Sequence, residues 1–329
     1  MSSRRPRMPA LFIAPLTLAL LAGCGTDSST STGDGPEAVP AADASVFPEA
    51  GKRTLTEFIE QEGENRDAPV LTPGGMVARP GTQRFSFALF TIAREQVSDV
   101  DEVALYVARG ADGTVTGPYP ARRDPLTTEA RFRSKTAGEE DAEAVYVSDV
   151  EFEGRGESRV AAVVRRGDTN HVTRPISVVV RSFDRIPAAG DRAPKVGTPT
   201  VSDVADVSAI DTRQPPTSMH DTDLSKVLGR KPVVLLFATP ALCQTRVCGP
   251  VADVTEQVKQ QTPGDEVQFI HMEIYKDNDV AKGLRPQVQA YGLPTEPWVF
   301  VTDRKGVVRT AIEGAFGVDE LKKAVAEVR

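Results

Sequence analysis

The sequence predicts a two-part chain, an all-β sandwich followed by an α/β domain whose elements run β-α-β-α-β-β-α. Three observations predict it. From about Leu71, short stretches alternate apolar and polar residues with the two-residue period of strands, and no long helical period intervenes before Asp184. A stretch rich in proline, glycine and charge, SFDRIPAAGDRAPKVGTPT, then marks a boundary. Beyond it, nearly continuous apolar runs alternate with segments of helical period, the pattern of strands buried on both faces.

Residues 1–24 read as a processing segment: Arg4, Arg5 and Arg7 open it, and the apolar run to Leu21 is too short to span a bilayer comfortably. Residues 25–66 begin with Ser, Thr, Gly, Asp and Ala and almost no large apolar residue, which predicts a flexible tether. Residues 67–183 carry the strands. RFSFALF puts Phe85, Phe87 and Leu89 on one face, and EVALYVA does so with Val103, Leu105 and Val107. AVYVSDVEF, RVAAVVRR and PISVVVRS follow, GADGTVTGPYP reads as a turn, and His171 in GDTNHVTRP reads as a surface histidine on a loop. Residues 184–222 read as a linker and N-terminal extension in which Arg213, Met219 and His220 are solvated.

Residues 223–329 form the α/β part. KPVVLLFAT is a buried strand, and GPVADVTEQVKQQ repeats Val251, Val254 and Val258 at helical spacing, with Pro250 suited to a first helical position. EVQFIHMEIY is a second buried strand, and LRPQVQAYG a short helix closed by Gly292. PWVFVTD and GVVRTAIEG make a hairpin, and VDELKKAVAEVR is an amphipathic terminal helix. The net charge of −7 does not attract phosphate backbones, so no nucleic-acid partner is expected.

The chain has three cysteines, Cys24, Cys243 and Cys248. Cys248 falls at a helix start, where orphan N–H groups and the dipole favour thiolate over thiol. That marks it as the attacking sulfur and Cys243 as its resolving partner in an intramolecular disulfide. Inside one regular helix the two side chains would point ~140° apart, so Cys243 must lie in the preceding loop. A permanent staple is the rival reading of the same bond.

Several stretches resemble known families. Leu21-Ala22-Gly23-Cys24 resembles the lipobox of bacterial lipoproteins, which implies acylation (diacylglyceryl, palmitate) at Cys24 and a place on the extracytoplasmic face of the cell membrane. The β part looks like an immunoglobulin or fibronectin-type module. The α/β part resembles the thioredoxin fold, and Pro297 falls where that fold places its cis-proline, with Pro294 as rival. CGPV keeps Cys248, Gly249 and Pro250 of the thioredoxin motif, but Val251 stands where its second cysteine belongs, so the pair is C-x4-C. The resemblance implies a monomeric thiol-disulfide oxidoreductase that acts on extracytoplasmic protein thiols or disulfides without a cofactor, with Pro297 and Glu296 bordering the substrate groove. Three alternatives stay open. Pro240, Thr245 and Cys248, with Arg246 nearby, resemble a peroxiredoxin pattern and imply a thiol peroxidase. The two cysteines with His271 or His220 resemble the metal set of copper-delivering relatives. A scaffold lipoprotein with an inert disulfide is the third.

Overall fold

A computed structural model describes residues 37–63, 68–135, 141–243 and 246–329. The processing segment with Cys24, the first part of the tether and Thr245 lie outside the described residues.

Where the tether was expected, residues 37–63 carry structure. A 3₁₀ turn at Ala44–Val46 precedes helix α1, Leu55–Glu62. Thr54 Oγ1 accepts from the Glu57 amide at 3.2 Å while the Thr54 amide donates to the Glu57 carboxylate at 2.8 Å, a reciprocal cap that fixes the helix start. Leu55, Phe58 and Ile59 face inward and pack with Tyr106, Val163 and Val172. The Phe58 and Tyr106 rings lie 4.3 Å apart. Averaged composition hides these few apolar residues, and they are what docks the segment.

The β part contains β1 (Val70–Pro73), β2 (Gly81–Phe90), β3 (Val103–Arg109), β4 (Thr116–Pro125), β5 (Ala144–Phe152), β6 (Gly156–Arg166), β7 (Thr169–Val172) and β8 (Ile176–Val180). They form an eight-stranded sheet in the order β1-β2-β5-β4-β3-β6-β7, with β8 also paired to β6 and every pairing antiparallel. The alternation puts Phe85, Phe87, Leu89, Val103, Leu105 and Val107 into one core cluster, as the period of two requires. Two expectations fail here. GADGTVTGPYP is not only a turn, because its second half opens β4, whose start pairs with β3 and whose end pairs with β5. Pro118 and Pro120 mask that strand in the sequence, since neither offers an amide to a ladder. The register shift opposite Gly117, at φ 122°, absorbs the irregularity. His171 lies in β7 opposite Val164, not on a loop.

The second part contains α2 (Leu224–Val227), β9 (Val233–Phe237), α3 (Cys248–Gln261), β10 (Gln268–Met272), α4 (Pro286–Ala290), β11 (Trp298–Thr302), β12 (Val308–Glu313) and α5 (Val318–Ala326). From β9 onward this is the expected β-α-β-α-β-β-α order. The sheet runs β10-β9-β11-β12, with β10 parallel to β9 and the other neighbours antiparallel. All five residues of β9 are buried, because its two faces feed different cores. Val234 and Leu236 pack toward α3 and α5, whereas Val233, Leu235 and Phe237 pack with Leu224, Val288 and Tyr291.

The two parts share a core instead of being joined by a free linker. Leu126, Val145 and Val147 of the β part belong to the same cluster as α3, β11 and α5. Arg84 Nε meets Glu320 of α5 at 2.7 Å, and Arg122 bridges Glu320 at 2.8 Å and Asp124 at 2.9 Å. Burial pushes the Asp124 carboxyl up to about 6 beside the Glu320 charge, while Arg84 and Arg122 outweigh burial at Glu320 and hold it low. The 184–222 segment is also packed: Ile186, Ala193, Ile210, Asp211, Arg213, Met219 and His220 are buried. It covers the polar face of α3. Asp253 accepts from Arg213 Nε at 2.7 Å and the Ser134 amide at 2.8 Å, and Glu256 accepts from the Ser218 amide at 2.9 Å. Among the described residues no helix is long and apolar enough to cross a membrane.

Candidate functional site

β9 delivers the chain to the loop that carries the first sulfur. Ala238 closes the strand by donating to Met272 O at 3.2 Å, and the Ala241 amide donates to Thr212 Oγ1 at 3.0 Å, so the loop is tied at both ends to neighbouring elements. Cys243 follows in this loop, off the helix, and is half-buried. Cys248 is the first residue of α3 and 0 % exposed, within the cluster that holds Val251 and Val254. The two form a disulfide with their Cα atoms 5.9 Å apart. The sequence brings together the pair as expected but with the order of exposure reversed. The helix-terminal sulfur is the covered one, and Cys243 is the more accessible of the two.

The loop before β11 lies over this bond. Glu296–Pro297 is a cis peptide, whereas the bond before Pro294 is not, and Pro294 is exposed. Pro297 O accepts from the Gly314 amide at 2.9 Å. Trp298 Nε1 donates to Thr295 Oγ1 at 3.1 Å, and Thr295 in turn bonds the Glu313 carboxylate. Glu313 accepts from the Met76 and Val77 amides, each at 2.9 Å, so the β part itself fixes the loop. The result is that one Glu296 carboxylate oxygen and both cysteine sulfurs lie within 4.8 Å of one another. Burial, and then the charge of Glu273, push the Glu296 carboxyl up to about 7. Glu296 Oε2 is buried and no donor reaches it among the described residues. A shared apolar cavity of about 580 Å³, lined by Phe90 and Ile92 of the β part and by Val247, adjoins the α3 start.

The histidines lie elsewhere. Asp211, His220 and His271 form a second buried group, in which His220 Nε2 donates to Asp211 Oδ2 at 2.9 Å and His271 Nδ1 lies 3.3 Å from the same oxygen. The Thr217 amide and hydroxyl both donate to that oxygen at 2.7 Å. His271 Nε2 donates to Ala238 O at 3.1 Å, so both its ring nitrogens act as donors, the arrangement of an imidazolium. Burial alone would lower His271, but the Asp211 charge and hydrogen bond outweigh it and raise the ring to about 9. Burial wins at His220, which stays neutral with Nδ1 unpartnered. Arg213, Met219 and His220 are therefore not a solvated linker, and His271 keeps company with Asp211 instead of completing a metal set at the sulfurs. For the peroxidase pattern, Pro240 is half-buried and Arg246 is exposed at φ 61°, its carbonyl accepting from the Ala142 amide at 3.1 Å.

Sequence reasoning put Glu296 in a groove and missed its approach to the sulfurs. The available signal was a lone acid inside YGLPTEPWVF, between apolar stretches. It missed Asp211 altogether.

No family model matches the chain, and no curated protein matches it. Among solved structures the chain is similar to a putative thiol:disulfide interchange protein DsbE from Chlorobium tepidum, at 19% identity over 43% of this chain and 98% of that one, with a TM-score of 0.32. It is similar also to a thiol:disulfide interchange protein of the thioredoxin family from Chlorobium tepidum TLS, at 15% identity over 43% of this chain and 97% of that one, TM-score 0.30. A thioredoxin-like superfamily protein matches at 13% identity over 41% of this chain and 95% of that one, TM-score 0.29.

Proposed function

We propose that the chain is a membrane-anchored, extracytoplasmic thiol-disulfide oxidoreductase with a thioredoxin-like α/β part and an immunoglobulin-like β part. The lipobox-like Leu21-Ala22-Gly23-Cys24 supports the anchor, with Cys24 as the acylated residue. One observation carries the activity: a disulfide at a helix start with one sulfur buried and its partner half-buried in a loop, under a cis-proline loop. A substrate-facing sulfur and a covered one are what a two-step exchange needs. In the reduced protein Cys243 thiolate attacks a substrate disulfide and forms a mixed disulfide, and Cys248 displaces the product by bonding to Cys243. This exchanges the roles that helix position alone suggests, because a sulfur that nothing can reach attacks no protein. Pro297 borders the substrate, and an apolar residue beside the substrate's sulfur reaches the cavity at Val247.

The complete burial of Cys248 also favours a second reading, an inert staple in a scaffold lipoprotein. The reduction potential of the pair separates the two. A value above about −300 mV is expected for exchange, and one well below it makes the bond structural. With oxidised glutathione as probe, Cys248→Ala should accumulate a mixed disulfide at Cys243; failure to form one removes the exchange reading.

A further inference from the structure

We propose that Glu296 is the proton acceptor for the Cys248 thiol, so that the carboxyl of the cis-proline loop gates the second half of the exchange. This rests on the redox reading above and assigns Glu296 work beyond bordering a groove. The argument starts from burial. A thiol inside an apolar cluster holds its proton tightly and is a poor nucleophile, and Cys248 has no exposure at all. Its ionisation therefore needs an acceptor inside the protein. Among the described residues, one carboxylate oxygen of Glu296 is within 4.8 Å of both sulfurs, within reach directly or through one water. Glu296 Oε2 has no donor, as is also true of Glu273 Oε2, whereas Asp211 is engaged by Thr217 and His220 and Asp253 by Arg213 and Ser134; of the two carboxyls with an unpartnered oxygen, Glu296 is the one grouped with the sulfurs. Loop position is not left to chance, because Thr295 is tied to Glu313 and Pro297 to Gly314 on either side.

The groups facing this carboxyl are few. Glu273 and Tyr275, just past β10, act on it electrostatically, and Cys243 and Cys248 complete its surroundings. No cation partners it among them. A carboxyl held up to about 7 is matched to take and return a proton near neutrality.

The chemistry balances. Cys243 thiolate attacks R–S–S–R′, the Cys243–SR bond forms, and R′S⁻ leaves. The Cys248 proton passes to the Glu296 carboxylate, the Cys248 sulfur bonds Cys243 Sγ, and RS⁻ leaves, taking up the proton from Glu296. Two electrons pass from the cysteine pair to the substrate, and the reverse sequence returns them from a substrate dithiol.

The test uses the reduced full chain with oxidised glutathione as probe, in single turnovers. Glu296→Gln, close in shape and uncharged, should close the Cys243–Cys248 disulfide about 100-fold more slowly at neutral pH, with formation of the Cys243 mixed disulfide unchanged. The wild-type closing rate should rise through about pH 7 and level off, whereas the variant's should keep rising into the alkaline range. Equal rates and profiles overturn the proposal. A second readout needs no turnover: in Cys243→Ala protein, the ultraviolet thiolate signal of Cys248 should show an inflection near 7 that Glu296→Gln removes while lowering the thiol's own ionisation. Identical titrations overturn the proton link. Absence of any mixed disulfide in the first assay overturns the redox reading instead, so the two failures are distinguishable.

Discussion

Two three-residue groups, one buried and one partly buried, each of a composition that suits metal or acid-base chemistry, involve the chain from Ala238 to Cys243. In Asp211–His220–His271 the shared Asp211 oxygen already accepts from His220 and Thr217, His271 Nδ1 lies 3.3 Å from it, and His271 Nε2 bonds Ala238 O. In Cys243–Cys248–Glu296 a carboxylate oxygen has no partner and lies beside a disulfide. The first group is organised around a shared, fully engaged Asp211 oxygen and holds the strand end through Ala238, with His220 Nδ1 its one atom with no partner among the described residues; the second has an unpartnered Glu296 oxygen beside a disulfide. Residue type alone does not tell the two groups apart; the accounting of donors and acceptors does, since the Asp211 oxygen has its donors and Glu296 Oε2 has none.

The comparison breaks most sharply at Asp211. Asp211→Asn leaves the His271 imidazolium buried without its counter-charge, and denaturant unfolding should record a loss of about 3–5 kcal/mol. A loss under about 1 kcal/mol would mean the pair is not ionic. The next largest effect is pH dependence of the oxidised protein. His271 is raised in the fold to about 9, so its contribution is fully present below its unfolded value of 6.5 and is lost as pH rises through about 9. Stability should fall across that window by up to about 3 kcal/mol, and the slope should vanish in His271→Gln. Reducing the disulfide, whose cysteines are separated by 5 in sequence, should cost about 2 kcal/mol in the chain-entropy account, measured as the difference between unfolding curves with and without reductant. Glu296→Gln should have the smallest effect, within about 0.5 kcal/mol near pH 5. Its folded value of about 7 is raised above 4.5, so the wild-type carboxyl becomes a burden as pH rises through 7 and the variant should gain relative stability there. A large loss in this variant would move Glu296 into the structural class with Asp211.

Much of the α/β part was legible. The runs of KPVVLLFAT and EVQFIHMEIY identify buried strands because both faces of β9 and β10 need apolar side chains, and the Val251, Val254 and Val258 spacing identifies α3. The β part was legible where alternation was regular and failed at β4, where prolines interrupt the ladder. The tether and linker readings failed for one reason. Phe47, Phe58, Ile210 and Met219 are sparse in polar stretches, and averaged composition does not register single anchors.

By itself the sequence determined that two cysteines fall at a strand-to-helix junction, that one of them lies off the helix, and that Glu296 precedes one of two prolines eligible for a cis bond. Those are local matters of period, spacing and the ring of Pro297. Only the tertiary structure decided which sulfur is covered, which carboxyl approaches the pair, and that Asp211, His220 and His271 form a separate buried group. Each depends on where distant segments pack, because burial and hydrogen-bond completion are properties of neighbours in space.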